Sequence, residues 1–359
     1  MTVFDAERMG ALVGESAEAE RFAVGGADVV LGPSGTLIIA EAADVPGRSG
    51  VWNAEEFRLF GPAPASVTDR LMESPLHIAV RTGAEVLYLG TAFMSQCAMS
   101  DGVLTDCELL LDTPLSRDLL DRVRPPGPPV DLPGLGWLEE VNGDRAAALE
   151  EFVTTWYPAG TESDHDAAHP TPPLPPALRH LHRLARQRPA ALGAQNRILP
   201  GSDPRTDPLG EMIVFGVENQ GGFFWSLLWT LDAPDLAPDV DPTVWFRCHD
   251  EPPIAEREPL SGFLLQFALY EASMGAAHLA LARGLTRAEV EHLTRNLRPV
   301  PLRPFQPGSA TRFHVAPGLV LHVDAALHGD RYDAWAGATH RSALTPLADV
   351  PVTWTRFDG

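Results

Sequence analysis

The sequence predicts an α+β protein with two domains. Short apolar runs separated by glycine-containing turns, such as TLIIAEA after GPSG, are typical of strands joined in hairpins. Amphipathic stretches such as LPPALRHLHRLARQR are typical of helices with one buried face. The chain has 359 residues, a length greater than one compact core usually holds. Of these residues, 45% are hydrophobic.

Residues 1–125 are mainly strand and turn, which predicts a small β-rich α+β module of unknown role. Hairpins are expected around the turns at 32–35 and 81–84, and a further strand is expected at 107–112. Pro114 precedes LSRDLLDRV, a short segment with leucines on one helical face. The module should therefore end on a helix.

Proline-rich segments set the expected domain boundaries. Residues 126–136 predict a linker, because proline removes backbone hydrogen bonds from both helices and central strands. The second domain then covers 137–359, with a flexible loop at 158–173 where polar residues run into prolines.

Helices are expected at four places in the second domain. Asp144 should cap GDRAAALEEFVTTWY, and prolines suit the first turn of the LPPALRHLHRLARQR helix. A long helix is expected from about Ser261 to Gly284. Thr286 and Glu289 have the spacing of a capping box for the last helix.

The polar triplet Glu218, Asn219 and Gln220 lies between two of the most apolar runs of the chain. It is either a catalytic cluster or the corner of a hairpin. Gly221 and Gly222 supply the positive φ angles of a tight turn, which favours the hairpin. Glu218 and Asn219 could still hydrogen-bond inward to hold the sheet or outward to a ligand.

Charge and composition exclude several functions. The net charge of −21 repels phosphate backbones, so we expect no direct nucleic-acid partner but attraction to a basic protein. All 27 basic residues are arginine, which excludes a Walker A lysine, a pyridoxal Schiff base and an SxxK pair. Three unpaired cysteines and no long apolar run predict a cytoplasmic protein without a membrane segment.

We predict no metal, no cofactor and no catalytic residues. His165 and His169 are four apart but lie beside prolines, and the chain has no CxxC and no HExxH. Cys248 and His249 would face opposite sides of a strand. A Ser/His/Asp triad assembled from distant residues stays open, although no motif points to one.

Two acidic loops are candidate docking surfaces. Each would offer an electronegative rim that steers a basic protein, and the alternative is that both loops are simply solvated. The first loop carries Asp232, Asp235, Asp239 and Asp241, and the second carries Asp250, Glu251, Glu256 and Glu258 against Arg257.

Residues of about 140–357 resemble the SUKH superfamily in its actinobacterial form. The most specific segments are ENQGGFFW (218–225) and EPLSGFLLQFALYEA (258–272). The resemblance implies a mostly antiparallel central sheet backed by helices, and it supplies no catalytic residues. It carries over Glu218, Asn219, Gln220 and Gly221, together with Trp225, as a structural signature near a contact surface.

Members of that family are often immunity proteins that neutralise secreted toxins, many of them nucleases. We therefore expect a non-enzymatic, protein-binding module that meets a basic toxin. The expected partner-binding residues are Glu218, Asn219, Gln220, Trp225, Asp232, Asp235, Asp239, Asp241, Asp250 and Glu251. The alternatives are a regulatory or scaffold protein of the same family, and a lysine-independent hydrolase.

Overall fold

The computed structural model describes residues 3–4, 6–14, 19–42, 47–72, 75–125, 130–160, 174–200, 205–206, 212–228, 241–248, 251–306, 309–325 and 330–359. These residues form an α+β fold, which confirms the predicted class. The chain divides into two compact units: Met1–Pro129 together with Arg356–Asp358, and Val130–Thr355. The division near residue 130 falls inside the segment expected to be a linker, but Arg356–Asp358 groups with the first unit.

The N-terminal unit is rich in strands. Its helices are α1 (Ala6–Leu12), α2 (Ala65–Leu71) and α3 (Arg117–Val123). Its strands are β1 (Val3–Phe4), β2 (Glu20–Val24), β3 (Ala27–Gly32), β4 (Gly35–Glu41), β5 (Gly50–Val51), β6 (Glu56–Ala63), β7 (Leu76–Thr82), β8 (Glu85–Ser100) and β9 (Val103–Leu111).

One mixed sheet organises this unit. The strand order is β2-β3-β4-β7-β8-β9-β6-β5, with β1 paired to β8. The β3–β4 and β7–β8 hairpins confirm the two predicted turns, while β4 and β7 run parallel because a long crossover joins them. The sheet curls, so that the Ser49 amide near β5 donates to the Gly25 carbonyl beside β2 at 2.9 Å.

The C-terminal unit carries the longer helices. They are α4 (Trp137–Glu140), α5 (Arg145–Trp156), α6 (Pro176–Gln187), α7 (Leu260–Met274), α8 (Arg287–Thr294) and α9 (Thr345–Ala348), with short 3₁₀ turns at Pro189–Leu192 and Arg341–Leu344. The strands are β10 (Asn196–Ile198), β11 (Arg205–Thr206), β12 (Met212–Glu218), β13 (Phe223–Leu228), β14 (Thr243–Cys248), β15 (Ile254–Pro259), β16 (His278–Leu285), β17 (Arg298–Pro299), β18 (Arg312–Ala316), β19 (Leu319–Ala325) and β20 (Tyr332–Ala338).

Two antiparallel sheets pack around α7 in this unit. The first has the order β10-β12-β13-β14-β15, with β11 on β12, and the second contains β17-β18-β19-β20-β16. Helix α7 contacts strands of both sheets and is buried on nearly all sides. A helix that is apolar all round is expected at such a central position.

The end of α7 corrects the expected helix from Ser261 to Gly284. The helix stops at Met274, with Gly275 as its cap, and His278–Leu285 forms strand β16 paired to β20. The sequence GAAHLALARG has good helix propensity, but pairing within the sheet outweighs the few tenths of a kcal/mol per residue that propensity supplies. Gly284, which was expected to end the helix, lies near the end of strand β16 and has a φ of +65°.

Both predicted helix caps are confirmed. The Asp144 carboxylate accepts from the amides of Ala146 and Ala147 at 3.1 and 3.0 Å, at the start of α5. Thr286 and Glu289 form the reciprocal capping box of α8. Among the described residues, no helix combines the length and the apolarity that a membrane crossing requires.

Candidate partner-binding surface

The polar triplet forms the turn of the β12–β13 hairpin, as predicted. One carboxylate oxygen of Glu218, Oε2, accepts from the amides of Gln220 and Gly222 at 2.9 and 3.0 Å. Gly221 has φ of +75°, the left-handed conformation that glycine adopts readily. Glu218 therefore holds the turn itself, while Asn219 and Gln220 are exposed.

Trp225 is a core residue, which corrects its assignment to the contact surface. Its side chain is 0% exposed, and its ring lies 5.4 Å from that of Phe263 and 6.2 Å from that of Phe305. The indole nitrogen donates to Oε1 of Glu256 at 3.0 Å. In this structure Trp225 anchors the hairpin beneath the surface and is not accessible to a partner.

The second acidic loop is less acidic at the surface than the sequence suggested. Glu256 and Glu258 alternate with exposed Arg257 along β15 and are only 6% and 5% exposed. Glu258 accepts from the Arg145 guanidinium at 2.8 Å and from the Arg303 amide at 2.9 Å. Both glutamates therefore point into the unit, because successive strand residues face opposite sides.

Of the remaining acidic candidates, Asp241 and Glu251 are exposed. Asp241 accepts from the amide and the hydroxyl of Ser261 at 2.9 and 2.6 Å, so it secures the first turn of α7. The residues Asp232, Asp235, Asp239, Asp250, His165, His169 and His249 lie outside the described part of the chain. Within the described part, no group of three or more metal-ligating side chains is placed to hold an ion.

Those candidate residues that the structure describes lie at two opposite ends of the first sheet. Phe223 pairs with Cys248 at one end, next to the 218–222 turn and the loop that leads through Glu251 to β15. Met212 pairs with Leu228 at the other end, where the chain leaves for residues 229–240. Strands of six or seven residues are about 20 Å long. Asp241, two residues before β14, and Glu251, three residues after it, are therefore at opposite ends of the sheet.

We call the first of these surfaces the corner end and define it as residues 193–196, 218–223, 248 and 251–254. Asn196 belongs to it because it pairs with Glu218 across β10 and β12. Helix α7 begins at the other end, where the Leu260 amide donates to Pro242, and finishes beside the 193–196 loop. The corner end thus contains loops from the sheet and the C-terminal end of the central helix.

Glu271 ties that helix to the corner end, although it is not among the residues predicted from the sequence. Its Oε2 accepts from the amides of Ala194 and Gln195 at 2.8 and 2.9 Å. Its Oε1 accepts from the amide and the side-chain nitrogen of Asn196 at 2.8 and 2.9 Å. The sequence does contain a pattern that indicates such a residue, namely an acidic residue inside an otherwise apolar helix. A carboxylate is buried in such a helix only when it is hydrogen-bonded.

A cleft of about 400 Å³ opens beside this carboxylate. Its lining combines the rings of Trp156 and Tyr157 with small side chains, among them Ala194 and Ala276. Among the described lining residues Glu271 carries the charge, and the carbonyl end of α7 adds a partial negative charge. The cleft has room for a side chain and favours a cationic one.

The structure also brings together a serine, a histidine and an aspartate. The Ser273 hydroxyl lies 2.6 Å from Nδ1 of His322, and the other ring nitrogen of His322 lies 3.4 Å from Asp324. Ser273 and His322 are 0% and 1% exposed, and the imidazole stacks with the rings of both Tyr270 and Trp335. Ser273 also donates to the Tyr270 carbonyl. This buried group links α7 to β19.

Glu256 carries a strongly perturbed carboxyl. Burial raises its pKa from 4.5 to about 7, and the hydrogen bond from Trp225 offsets only part of that shift. Its Oε2 has no hydrogen-bond partner among the residues that the structure describes. Because the folded-state pKa exceeds the unfolded-state value, the favourable contribution of this carboxyl is complete below pH 4.5 and is lost as the pH rises through 7.

Glu256→Gln is therefore expected to raise the free energy of unfolding at pH 8 by up to about 3 kcal/mol, since each pKa unit corresponds to about 1.4 kcal/mol. The gain should disappear near pH 4.5, where the wild-type carboxyl is protonated. Urea unfolding at pH 8 and at pH 4.5 measures this gain in the free energy of unfolding. Glu258→Gln is the matched control, because it removes the carboxylate that pairs with the buried side of Arg145 and should lower stability at pH 8. A loss of stability in Glu256→Gln at pH 8 would contradict the expected ionisation.

Searches against protein-family models, curated proteins and solved structures return no match to this chain.

Proposed function

We propose that this protein is a cytoplasmic, non-enzymatic binding protein of the immunity type that neutralises a basic, nuclease-like toxin. The resemblance of ENQGGFFW and EPLSGFLLQFALYEA to the SUKH superfamily supports the class of protein. The net charge of −21 supports a positively charged partner, because complementary charges speed the encounter of two proteins and orient their docking.

One observation carries the proposal, namely the arrangement of the corner end. Exposed Asn219, Gln220 and Glu251 lie at the same end of the sheet as the loop that lines the cleft. Protein interfaces combine a polar rim with a central pocket that accepts an anchoring side chain. In our proposal the exposed polar side chains form such a rim, and the cleft takes an arginine or lysine of the toxin.

A tagged pull-down from the native organism, eluted in steps of increasing salt and read by mass spectrometry, tests the proposal. We expect one basic protein that is released only at high salt, because screening weakens contacts between exposed charges. Recovery of metabolic or cell-envelope proteins, with no basic partner, would overturn the immunity proposal.

Neutralising Asp232, Asp235 and Asp239 to asparagine tests the first acidic loop separately from the corner end. If the corner end is the binding surface, the triple variant should bind the captured partner with nearly wild-type affinity and only a weaker salt dependence. Loss of binding in this variant would show that the first acidic loop, and not the corner end alone, contacts the partner.

A regulatory or scaffold protein is the second candidate, favoured by the N-terminal unit. Phe93, Met99 and Val103 on the β8–β9 hairpin are 49%, 47% and 41% exposed, so this hairpin presents apolar side chains to solvent. In that role each unit would hold a different partner. The same pull-down with residues 1–129 deleted discriminates the two candidates, because an immunity protein should still capture its basic partner.

A further inference from the structure

Two cysteines face each other across the β8–β9 hairpin of the N-terminal unit. Cys97 on β8 is paired in register with Cys107 on β9, and both are free thiols. The turn between the strands is Asp101-Gly102, with φ of +50° and +77°, which is typical of a tight two-residue hairpin. Residues 95–103 are all exposed, so the end of β8 and the turn that follows it are open to solvent.

The register brings the two thiols within reach of a disulfide. Directly opposed residues of an antiparallel pair have Cα atoms about 4.5 to 5.5 Å apart and side chains on the same face. Disulfides form over Cα separations of about 4.4 to 6.8 Å. Register shifts flank Cys97, between Met94 and Gln96 and between Ala98 and Met99, and such bulges let a strand re-aim its side chains.

The two thiols differ in accessibility, which assigns them different roles. Cys97 is exposed, while Cys107 is 0% exposed. Burial raises the pKa of Cys107 to about 12, and the neighbouring Cys97, Asp106 and Glu108 contribute to the shift. An oxidant from solution therefore meets Cys97 first, and Cys107 is shielded until its neighbour has reacted.

We propose that Cys97 and Cys107 are a reversible redox site that reacts with low-molecular-weight disulfides. The Cys97 thiolate attacks the small disulfide, which forms a mixed disulfide and releases one small thiol. The Cys107 thiolate then attacks the Cys97 sulfur, which forms the cross-strand disulfide and releases the second small thiol. Both protons end on the released thiols, and the two cysteines are oxidised as the small disulfide is reduced.

Oxidised glutathione is the probe, applied to the full-length protein with Cys248→Ser so that only the two hairpin cysteines remain. We expect the intact protein to become lighter by two hydrogen atoms, and proteolytic peptides to carry a Cys97–Cys107 link. Dithiothreitol should restore the original mass. An unchanged mass, or a mixed disulfide on Cys97 that never converts to the internal link, would overturn the proposal.

Single variants separate the two roles. Cys97→Ser, a change at the surface, should abolish both the mixed disulfide and the internal link. Cys107→Ser should accumulate the mixed disulfide on Cys97, because the second thiol is missing. If Cys107→Ser fails to fold, Cys97→Ser still decides the question, since a mixed disulfide formed on Cys107 in that variant would contradict the assignment of Cys97 as the thiol that reacts first.

Discussion

Trp225→Ala is expected to lower the free energy of unfolding of the C-terminal unit by about 4 kcal/mol. The ring is fully buried and packs against Phe263, Phe267 and Phe305, so its removal leaves a cavity in the centre of the core. The change also deprives Glu256 of the indole hydrogen bond that it accepts, which leaves a buried carboxyl without that partner.

Urea unfolding followed by circular dichroism measures this loss. Trp225→Phe is the matched control, because it keeps an aromatic ring in the core but removes the indole nitrogen, and its expected loss is about half as large. Binding should weaken only as far as the folded fraction falls. A Trp225→Ala protein of unchanged stability would mean that this side chain is on the surface, as the sequence first suggested.

Glu271→Gln is expected to lower the free energy of unfolding by about 3 kcal/mol, although glutamate and glutamine side chains have nearly the same shape. The carboxylate accepts four hydrogen bonds, two on each oxygen. A glutamine offers one oxygen and places an amide NH₂ against backbone N–H groups that are themselves donors. The 193–196 loop then loses its attachment to α7, and the cleft loses the wall that Ala194 contributes.

Glu218→Gln supplies the control for that substitution. Glu218 also accepts two backbone amides on one oxygen, but it does so at a partly exposed turn where water can replace the lost bonds. We therefore expect Glu218→Gln to lower the free energy of unfolding by less than about 1 kcal/mol. Equal losses in the two variants, measured by urea unfolding, would show that burial of Glu271 is not what makes its contacts important.

Local patterns of sequence predicted the hairpins and the helix caps because those signals reside in a few adjacent residues. The turn at 32–35, the Asp144 cap and the Thr286–Glu289 capping box depend on φ angles and on hydrogen bonds within four residues. The polar triplet was resolved as a turn for the same reason. These features are determined before any tertiary packing is considered.

Tertiary features could not be predicted in that way. The segment after Met274 has helix-forming residues, and only its pairing with β20 makes it a strand. Glu256 and Glu258 look like surface acids until the strand alternation and the packing of β15 place them inside. The placement of Asp241 and Glu251 at opposite ends of the first sheet depends on how its strands pair, which no short motif encodes.

The most direct test of the binding proposal compares two charge reversals with the purified basic partner. Glu251→Arg changes the corner end, whereas Glu291→Arg makes the same change in net charge on the exposed face of α8. We expect Glu251→Arg to weaken binding roughly tenfold at low salt and Glu291→Arg to leave it nearly unchanged. Equal effects of the two reversals would contradict a binding surface at the corner end.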